Sequence, residues 1–279
     1  MSANSAYLLG DDTGELQRLE EQARMLAPAT RAILEIAGIR PGMRVVDLGT
    51  GAGDVALELA AMVGPSGSVV GIDQSAEALV WARRRTLARG LDNVSFVQDD
   101  LRTAGIDSPV DAVVGRLVLL YAPDPAVVLR RYVGLVRQGG LVVSMEYEMT
   151  AAGSLPRLPL ADRVVGWIVE AFRRSGHDPL LGARLQRVMA DAGLHDATVL
   201  GLQTYVPHTD PSGARMAAEV VRTLLPAIER TGVASAAEID IDTLEQRIGD
   251  ALIEHGAIFK PPALAGAWAR VLHREASPL

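Results

Sequence analysis

The sequence predicts an α/β fold, a mostly parallel sheet made of βαβ units, and three observations predict it. Between residues 44 and 149, short Val- and Ile-bearing runs bounded by Gly, Pro, Asp or Asn alternate with amphipathic stretches of helical period. The first of those runs leads straight into a glycine-rich turn and a helix. Hydrophobic residues make up 49% of the 279 residues and charged residues 22%, which suits a large buried core and excludes a mainly disordered chain.

Taken in order, residues 15–26 and 28–37 read as two helices, the second opened by Pro28 and closed by Gly38. Strands follow at 44–47, 68–73, 94–98, 110–114 and 141–145. Helices fill the gaps at 54–62, at 76–89 with Ser75 as N-cap and Gly90 at C′, and at 125–136 after Asp124. Beyond 150 the texture changes. Residues 151–156 read as a loop, and helices are expected near 161–174, 181–192, 211–230 and 240–255. Strand propensity returns at 197–206, and 267–273 reads as a closing strand or a short helix.

Composition narrows the function. With 27 basic residues against 34 acidic ones and a formal charge of −7, no nucleic-acid partner is expected. The one dense basic cluster, Arg83, Arg84, Arg85 and Arg89, reads as a solvated helix face. Cysteine is absent, which excludes disulfides, thiolate metal sites and a Cys nucleophile. No His, Asp and Glu cluster has metal-ligand spacing, so no metal is expected. The acidic first thirty residues contain no secretory apolar segment, and no apolar run reaches the roughly 18–20 residues of a membrane span. A cytoplasmic protein acting away from membranes is expected.

The most informative segment runs Val45-Val46-Asp47-Leu48-Gly49-Thr50-Gly51-Ala52-Gly53-Asp54. Its glycines admit φ > 0 and close approach to a ligand, at the carboxyl end of a first strand. A dinucleotide pyrophosphate wants Gly-x-Gly-x-x-Gly and a helix N-terminus free of carboxylates. Here the third glycine comes one residue early and Asp54 follows it. S-adenosylmethionine carries a sulfonium and an ammonium group instead, so Asp47 and Asp54 are tolerable or helpful. Asp73 at the end of the second strand suits ribose hydroxyls of either cofactor. A further acid at the end of the third strand, in Gln98-Asp99-Asp100-Leu101, suits an adenine amino group and favours S-adenosylmethionine.

These residues resemble the class I S-adenosylmethionine-dependent methyltransferases, in particular the small-molecule group related to ubiquinone and menaquinone C-methyltransferases, over roughly residues 7–149. The resemblance implies a Rossmann-like, doubly wound, mostly parallel seven-stranded sheet. It further implies an N-terminal helical lid (1–40), a cofactor-binding core (41–150), and a third part (151–279) that completes the sheet and carries helical acceptor-binding insertions. By the same resemblance Gly49, Thr50, Gly51 and Gly53 hold the methionine part, Asp73 the ribose with Gln74 beside the adenine, and Asp100 and Leu101 the adenine, with Asp99 in the preceding slot. Arg116, in the segment after the fourth strand, contacts the cofactor or pairs with a carboxylate. Tyr7 with Glu15, Arg18 and Gln22 resembles the lid.

Methyl transfer needs mainly alignment and water exclusion, and a general base only when the acceptor must lose a proton. The candidates are His177, His208 and Glu146, with Tyr121 and Tyr147 at neighbouring strand ends. The segment 150–260, with Trp167, Phe172, Met189 and Leu225, reads as a pocket for an apolar or aromatic metabolite, as core, or as a homodimer face. Two other functions fit the same residues. One is a protein that uses the cofactor structurally, isomerase-like or regulatory; the other is a nicotinamide oxidoreductase.

Overall fold

The computed structural model describes residues 13–107 and 109–272, with side chains from residue 24 onward. Its main sheet has seven strands: β1 (Arg44–Leu48), β2 (Ser68–Asp73), β3 (Val94–Gln98), β4 (Val110–Arg116), β5 (Val136–Glu148), β7 (Thr198–Leu202) and β9 (Ala263–Arg270). They lie in the order β3-β2-β1-β4-β5-β9-β7. The pairs β1–β2, β1–β4, β2–β3 and β4–β5 are all parallel, as right-handed crossovers through helices require. The expected seven-stranded, doubly wound sheet is present, and the segment left open at 267–273 is a strand.

Register positions the site. Leu48 lies opposite both Ile72 and Gly115, Asp73 opposite Gln98, and Arg116 opposite Met145. Gly49, Asp73 and Arg116 therefore come off three neighbouring strands at one level of the carboxyl edge, with Asp99 and Glu146 one residue further on.

The helices before and between these strands are α1 (Thr13–Ala37), α2 (Asp54–Val63), α3 (Ala76–Ala88) and α4 (Pro125–Val133). Helix α2 packs on β1 and β2, and α3 on β2 and β3. Ser75 caps α3 by accepting the Ala78 N–H at 3.2 Å, and Gly90 follows it at φ +62°, as expected. Asp124 caps α4 through the Val127 N–H at 3.1 Å.

Several boundaries differ from the sequence reading. One helix, with Pro28 inside it, replaces the two expected over 15–37. A proline forfeits a single intrahelical bond, and here buried Leu26, Ile33, Leu34 and Ala37 outweigh that loss. Helix α4 stops at Gly134 instead of 136, because Val136 already belongs to β5. The Gly139-Gly140 turn lies within β5, where the register slips between the Val110/Val136 and Ala112/Leu141 pairs. Gly139, at φ +74°, makes that bulge possible. The loop expected at 151–156 contains β6 (Gly153–Leu155), paired antiparallel with β8 (Ile258–Lys260). Strand β7 ends at Leu202, and Val206 instead forms an isolated bridge with Phe259.

The chain divides into two compact units. Among the described residues, the first comprises 13–22, 147–183 and 201–265; the second comprises 23–107, 109–146, 184–200 and 266–272. Most of the main sheet belongs to the second. In the first, α5 (Pro159–Arg174), α7 (Ser212–Arg230) and α9 (Ile241–Glu254) pack on one another, with the short α8 (Ala236–Ile239) between the last two in sequence. Helix α6 (Leu181–Asp191) begins in the first unit and ends in the second.

This division sorts the apolar side chains expected to line a pocket. Trp167 and Phe172 are buried in the first unit, and Met189, fully buried, belongs to the second. Of the readings kept open for them, core packing is the one their burial supports; Leu225 is half-buried. No described helix is long and apolar enough to cross a membrane.

Candidate functional site

The glycine loop is built on two contacts from its own centre. The Thr50 hydroxyl donates to Asp47 Oδ2 at 2.6 Å, and the Thr50 N–H donates to the Ile72 carbonyl at 2.9 Å. Between these anchors Gly49 (φ +62°) and Gly51 (φ +52°) take left-handed conformations that cost other residues roughly 1–2 kcal/mol each. A Cβ on Gly51 would meet nothing within 4 Å, so the loop opens to a ligand there. A Cβ on Gly49 would stand 2.4 Å from Val118 Cγ2, so that side is closed by the turn after β4.

Asp73 joins this loop to the next strand. Its Oδ2 accepts the Gly51 N–H at 2.8 Å and its Oδ1 the Ser75 N–H at 2.9 Å, which orients the carboxylate at the sheet edge. A carboxylate has about four acceptor positions, so capacity remains for hydroxyl donors. Gln74, beside it, is exposed, and its carbonyl accepts from Gln98 Nε2 at 3.2 Å.

At the end of β3, Asp99 Oδ1 accepts the Asp100 N–H at 2.7 Å, while the Asp100 carboxylate is held by Arg102, whose Nε lies 3.0 Å from both oxygens. Arg102 keeps Asp100 below the usual carboxylate range. The turn that follows is fastened by α4: Tyr132 Oη donates to the Leu101 carbonyl at 2.8 Å, and Arg131 donates to the Ala104 carbonyl at 2.8 Å.

The sequence reading missed the importance of Asp47. It is 1% exposed, and burial pushes its carboxyl up to about 7. The Thr50 hydroxyl and nearby Arg116 oppose that rise, and Asp73 and Asp54 add to it. Three carboxyl groups thus lie at one loop, of which Asp47 is held toward its neutral form by burial and Asp54 is paired with Arg85, leaving Asp73 as the carboxylate at the open edge. The place of Asp47 three residues before the hydroxyl of a glycine-rich turn was the available signal. Asp54 opens α2, directly after Gly53 at the N-cap position. It pairs with Arg85 at 2.6 Å, and Arg85 also donates to the Ala52 carbonyl at 2.7 Å. Arg85 therefore leaves the expected solvated face, on which Arg83, Arg84 and Arg89 remain exposed. Arg85→Ala should release the loop's far side and lower the melting temperature by about 2–4 °C per kcal/mol lost, with roughly 1 kcal/mol expected for a part-buried pair. An unchanged melting curve would contradict that.

Arg116 donates from Nη1 to the buried Thr30 hydroxyl at 2.9 Å, a link from β4 to α1 that sequence spacing does not show. The next residue, Leu117, has φ +54°. Its N–H donates to the Met145 carbonyl at 2.8 Å, and the following two amides, Val118 and Leu119, donate to Glu146 Oε1 at 3.1 and 2.7 Å. Glu146 is 1% exposed, and burial pushes its carboxyl up to about 8 against the pull of those amides.

Both raised carboxyls make stability depend on pH. Between the ordinary carboxylate range and about 7–8, the folded chain retains protons at Asp47 and Glu146 that the unfolded chain has lost. Their contribution is therefore fully present at acid pH and declines as pH rises through that window. Glu146→Gln removes one of the two titrations. It should melt about 3–6 °C above wild type at pH 9 and close to it at pH 5, as followed by circular dichroism. A difference independent of pH would refute this.

The two candidate histidines, His177 and His208, belong to the first unit. His177 is explained by helix termination. Gly176, at φ +84°, donates to the Arg173 carbonyl at 3.1 Å, and the His177 N–H donates to the Phe172 carbonyl at 3.0 Å, the paired bonds of a Schellman motif. Its ring meets Phe172 edge-on at 6.0 Å, and burial lowers its pKa. His208 is half-exposed in the turn after Val206. Tyr7, and the side chains of Glu15, Arg18 and Gln22, lie outside the described residues.

Residues 39–168 match a family model described as a methyltransferase domain. This chain is 32% identical over 133 residues to the aklanonic acid methyltransferase DauC of a Streptomyces, covering 47% of this chain and 60% of that protein. It is 30% identical over 154 residues to the ubiquinone/menaquinone biosynthesis C-methyltransferase UbiE of Pseudomonas paraeruginosa, covering 51% and 60%. The chain thus spans three-fifths of the length of these relatives. A SAM-dependent methyltransferase from Aquifex aeolicus shares the fold, with a TM-score of 0.52 and 20% identity over 71% of this chain and 93% of that one.

The parallel sheet with its glycine loop and acidic edge is thus a methyltransferase domain. Over that domain the chain is similar to the ubiquinone/menaquinone C-methyltransferases, and its sheet shares the fold of S-adenosylmethionine-dependent methyltransferases.

Proposed function

We propose that the protein transfers the methyl group of S-adenosylmethionine to a small-molecule acceptor. The observation that carries this reading is the Asp73 carboxylate at the edge of a left-handed glycine loop that is open at Gly51, with the carboxyl groups of Asp47 and Asp54 at the same loop. Those donors and charges fit a ligand that carries a sulfonium, an ammonium and a ribose diol.

Bound there, S-adenosylmethionine supplies a methyl carbon already activated by sulfur. The chain's part is to bind, orient and exclude water, and orientation alone contributes on the order of 7–11 kcal/mol. In this reading the backbone of Gly49, Thr50, Gly51 and Gly53 holds the methionine part and Asp73 the ribose. Gln74, Asp99, Asp100 and Leu101 line the adenine, and Arg116 borders the site beside Asp47. The N-terminal segment with Tyr7 and Gln22 closes as a lid. For an acceptor that must lose a proton, His208 is the remaining candidate base among the histidines, since His177 has a capping role. DauC and UbiE support an apolar or aromatic acceptor by their names alone. A cytoplasmic location, a homodimer as the candidate assembly, and a reaction without nucleic acid, membrane or metal complete the proposal.

Calorimetric titration with S-adenosylmethionine and S-adenosylhomocysteine tests it, and absence of heat with both would end it. Asp99→Ala and Asp100→Ala, titrated side by side, identify the adenine acid. Because both oxygens of Asp100 are already committed to Arg102, the larger loss is expected for Asp99→Ala. Equal, negligible losses would remove both from the site.

A further inference from the structure

Glu146 does something the transfer reaction does not require of a general base. Three consecutive amides of the turn after β4 converge on two consecutive residues of β5: Leu117 on the Met145 carbonyl, then Val118 and Leu119 on Glu146 Oε1. The turn so held carries Val118 over two glycines. A Cβ on Gly49 would stand 2.4 Å from Val118 Cγ2, and one on Gly115 would stand 3.0 Å from Val118 Cγ1. The other carboxyl oxygen, Oε2, is buried without a hydrogen-bond partner. A side chain 1% exposed, with one oxygen committed to backbone, is poorly placed to take a proton from an acceptor. It is well placed to fix a turn whose first residue, Leu117, sits at φ +54°.

We propose that Glu146 is a positioning residue: it draws the 117–119 turn onto β5, seats Val118 against Gly49, and so holds the glycine loop in its cofactor-receiving shape. The inference rests on the cofactor reading for its consequence, but not for its geometry. No charged side chain is needed for the role, because a neutral amide oxygen accepts the same two N–H groups. Glutamine should therefore replace glutamate, whereas alanine leaves both amides unpaired.

The test compares wild type, Glu146→Gln, Glu146→Ala and Val118→Ala by hydrogen exchange at the Val118 and Leu119 amides and by calorimetric titration with S-adenosylhomocysteine. Glu146→Ala should raise exchange at both amides at least about tenfold and weaken binding about tenfold. Glu146→Gln should stay within about twofold of wild type in both. Val118→Ala should keep the amides protected yet weaken binding. Unchanged exchange in Glu146→Ala overturns the proposal, as does a glutamine variant as impaired as the alanine one. If Glu146→Ala does not fold, wild-type binding by Val118→Ala overturns it instead. If wild type itself ignores S-adenosylhomocysteine, the cofactor reading fails, while the exchange measurements still decide whether Glu146 holds the turn.

Discussion

Asp73→Ala should bind S-adenosylmethionine roughly 1–3 kcal/mol more weakly than wild type, about 5- to 150-fold, in calorimetric titration. Two losses add. The ribose hydroxyls forfeit a charged acceptor, and the Gly51 N–H, now 2.8 Å from Asp73 Oδ2, loses the bond that shapes the open side of the loop. The second loss should persist without ligand, as faster exchange at the Gly51 and Ser75 amides. Asp73→Asn separates the two, since its amide oxygen still accepts one of those N–H groups while the negative charge is gone. If Asp73→Ala bound the cofactor as wild type does, the nucleoside would have to be held elsewhere and the site assignment would fall.

Gly49→Ala should be the most damaging single methyl in the loop. It places a side chain on a residue at φ +62° and drives its Cβ to 2.4 Å from Val118 Cγ2 and 2.9 Å from Val118 Cβ. Backbone strain and overpacking together should cost about 3 kcal/mol, or roughly 6–12 °C in melting temperature. The Gly51→Ala variant is the control. Its φ is +52°, but its new methyl meets nothing within 4 Å, so stability should fall by only about 1 kcal/mol while cofactor affinity suffers more. Combining Gly49→Ala with Val118→Ala should recover part of the stability lost. Full recovery is not expected, because the 2.9 Å contact is with a Cβ that alanine retains. Gly49→Ala and Gly51→Ala melting alike would show that the turn after β4 does not close on the loop.

What the sequence made legible was local. The loop, Asp73 and the acids after β3 each sit where a short apolar run stops, and a pattern of a few residues suffices to see that. Ser75, Gly90 and Asp124 were equally readable, since caps are decided within one helical turn. Contacts across long separations were hidden. Arg116 meets Thr30 across 86 residues, Arg85 meets Asp54 only after α3 has docked, and β6 finds β8 more than a hundred residues later. Glu146 shows the limit most clearly. A glutamate near a strand end looks like chemistry, and only the β4–β5 register reveals two backbone amides in front of it. His177 misled for the opposite reason, because a Gly-His pair after a helix is also how a helix stops.

Strand β9 occupies the place between β5 and β7, although more than a hundred residues separate it from β5 in sequence. On the ribosome, the apolar flank of β5 from Leu141 to Met145 must therefore wait for Ala263–Arg270 to be made before its neighbour exists. Synthesis at roughly 5–20 residues per second makes that interval several seconds or more, long enough for an unpaired strand to recruit another chain. Slower translation, or a stop codon placed ahead of β9, should thus turn the same sequence from a folding chain into an aggregating one.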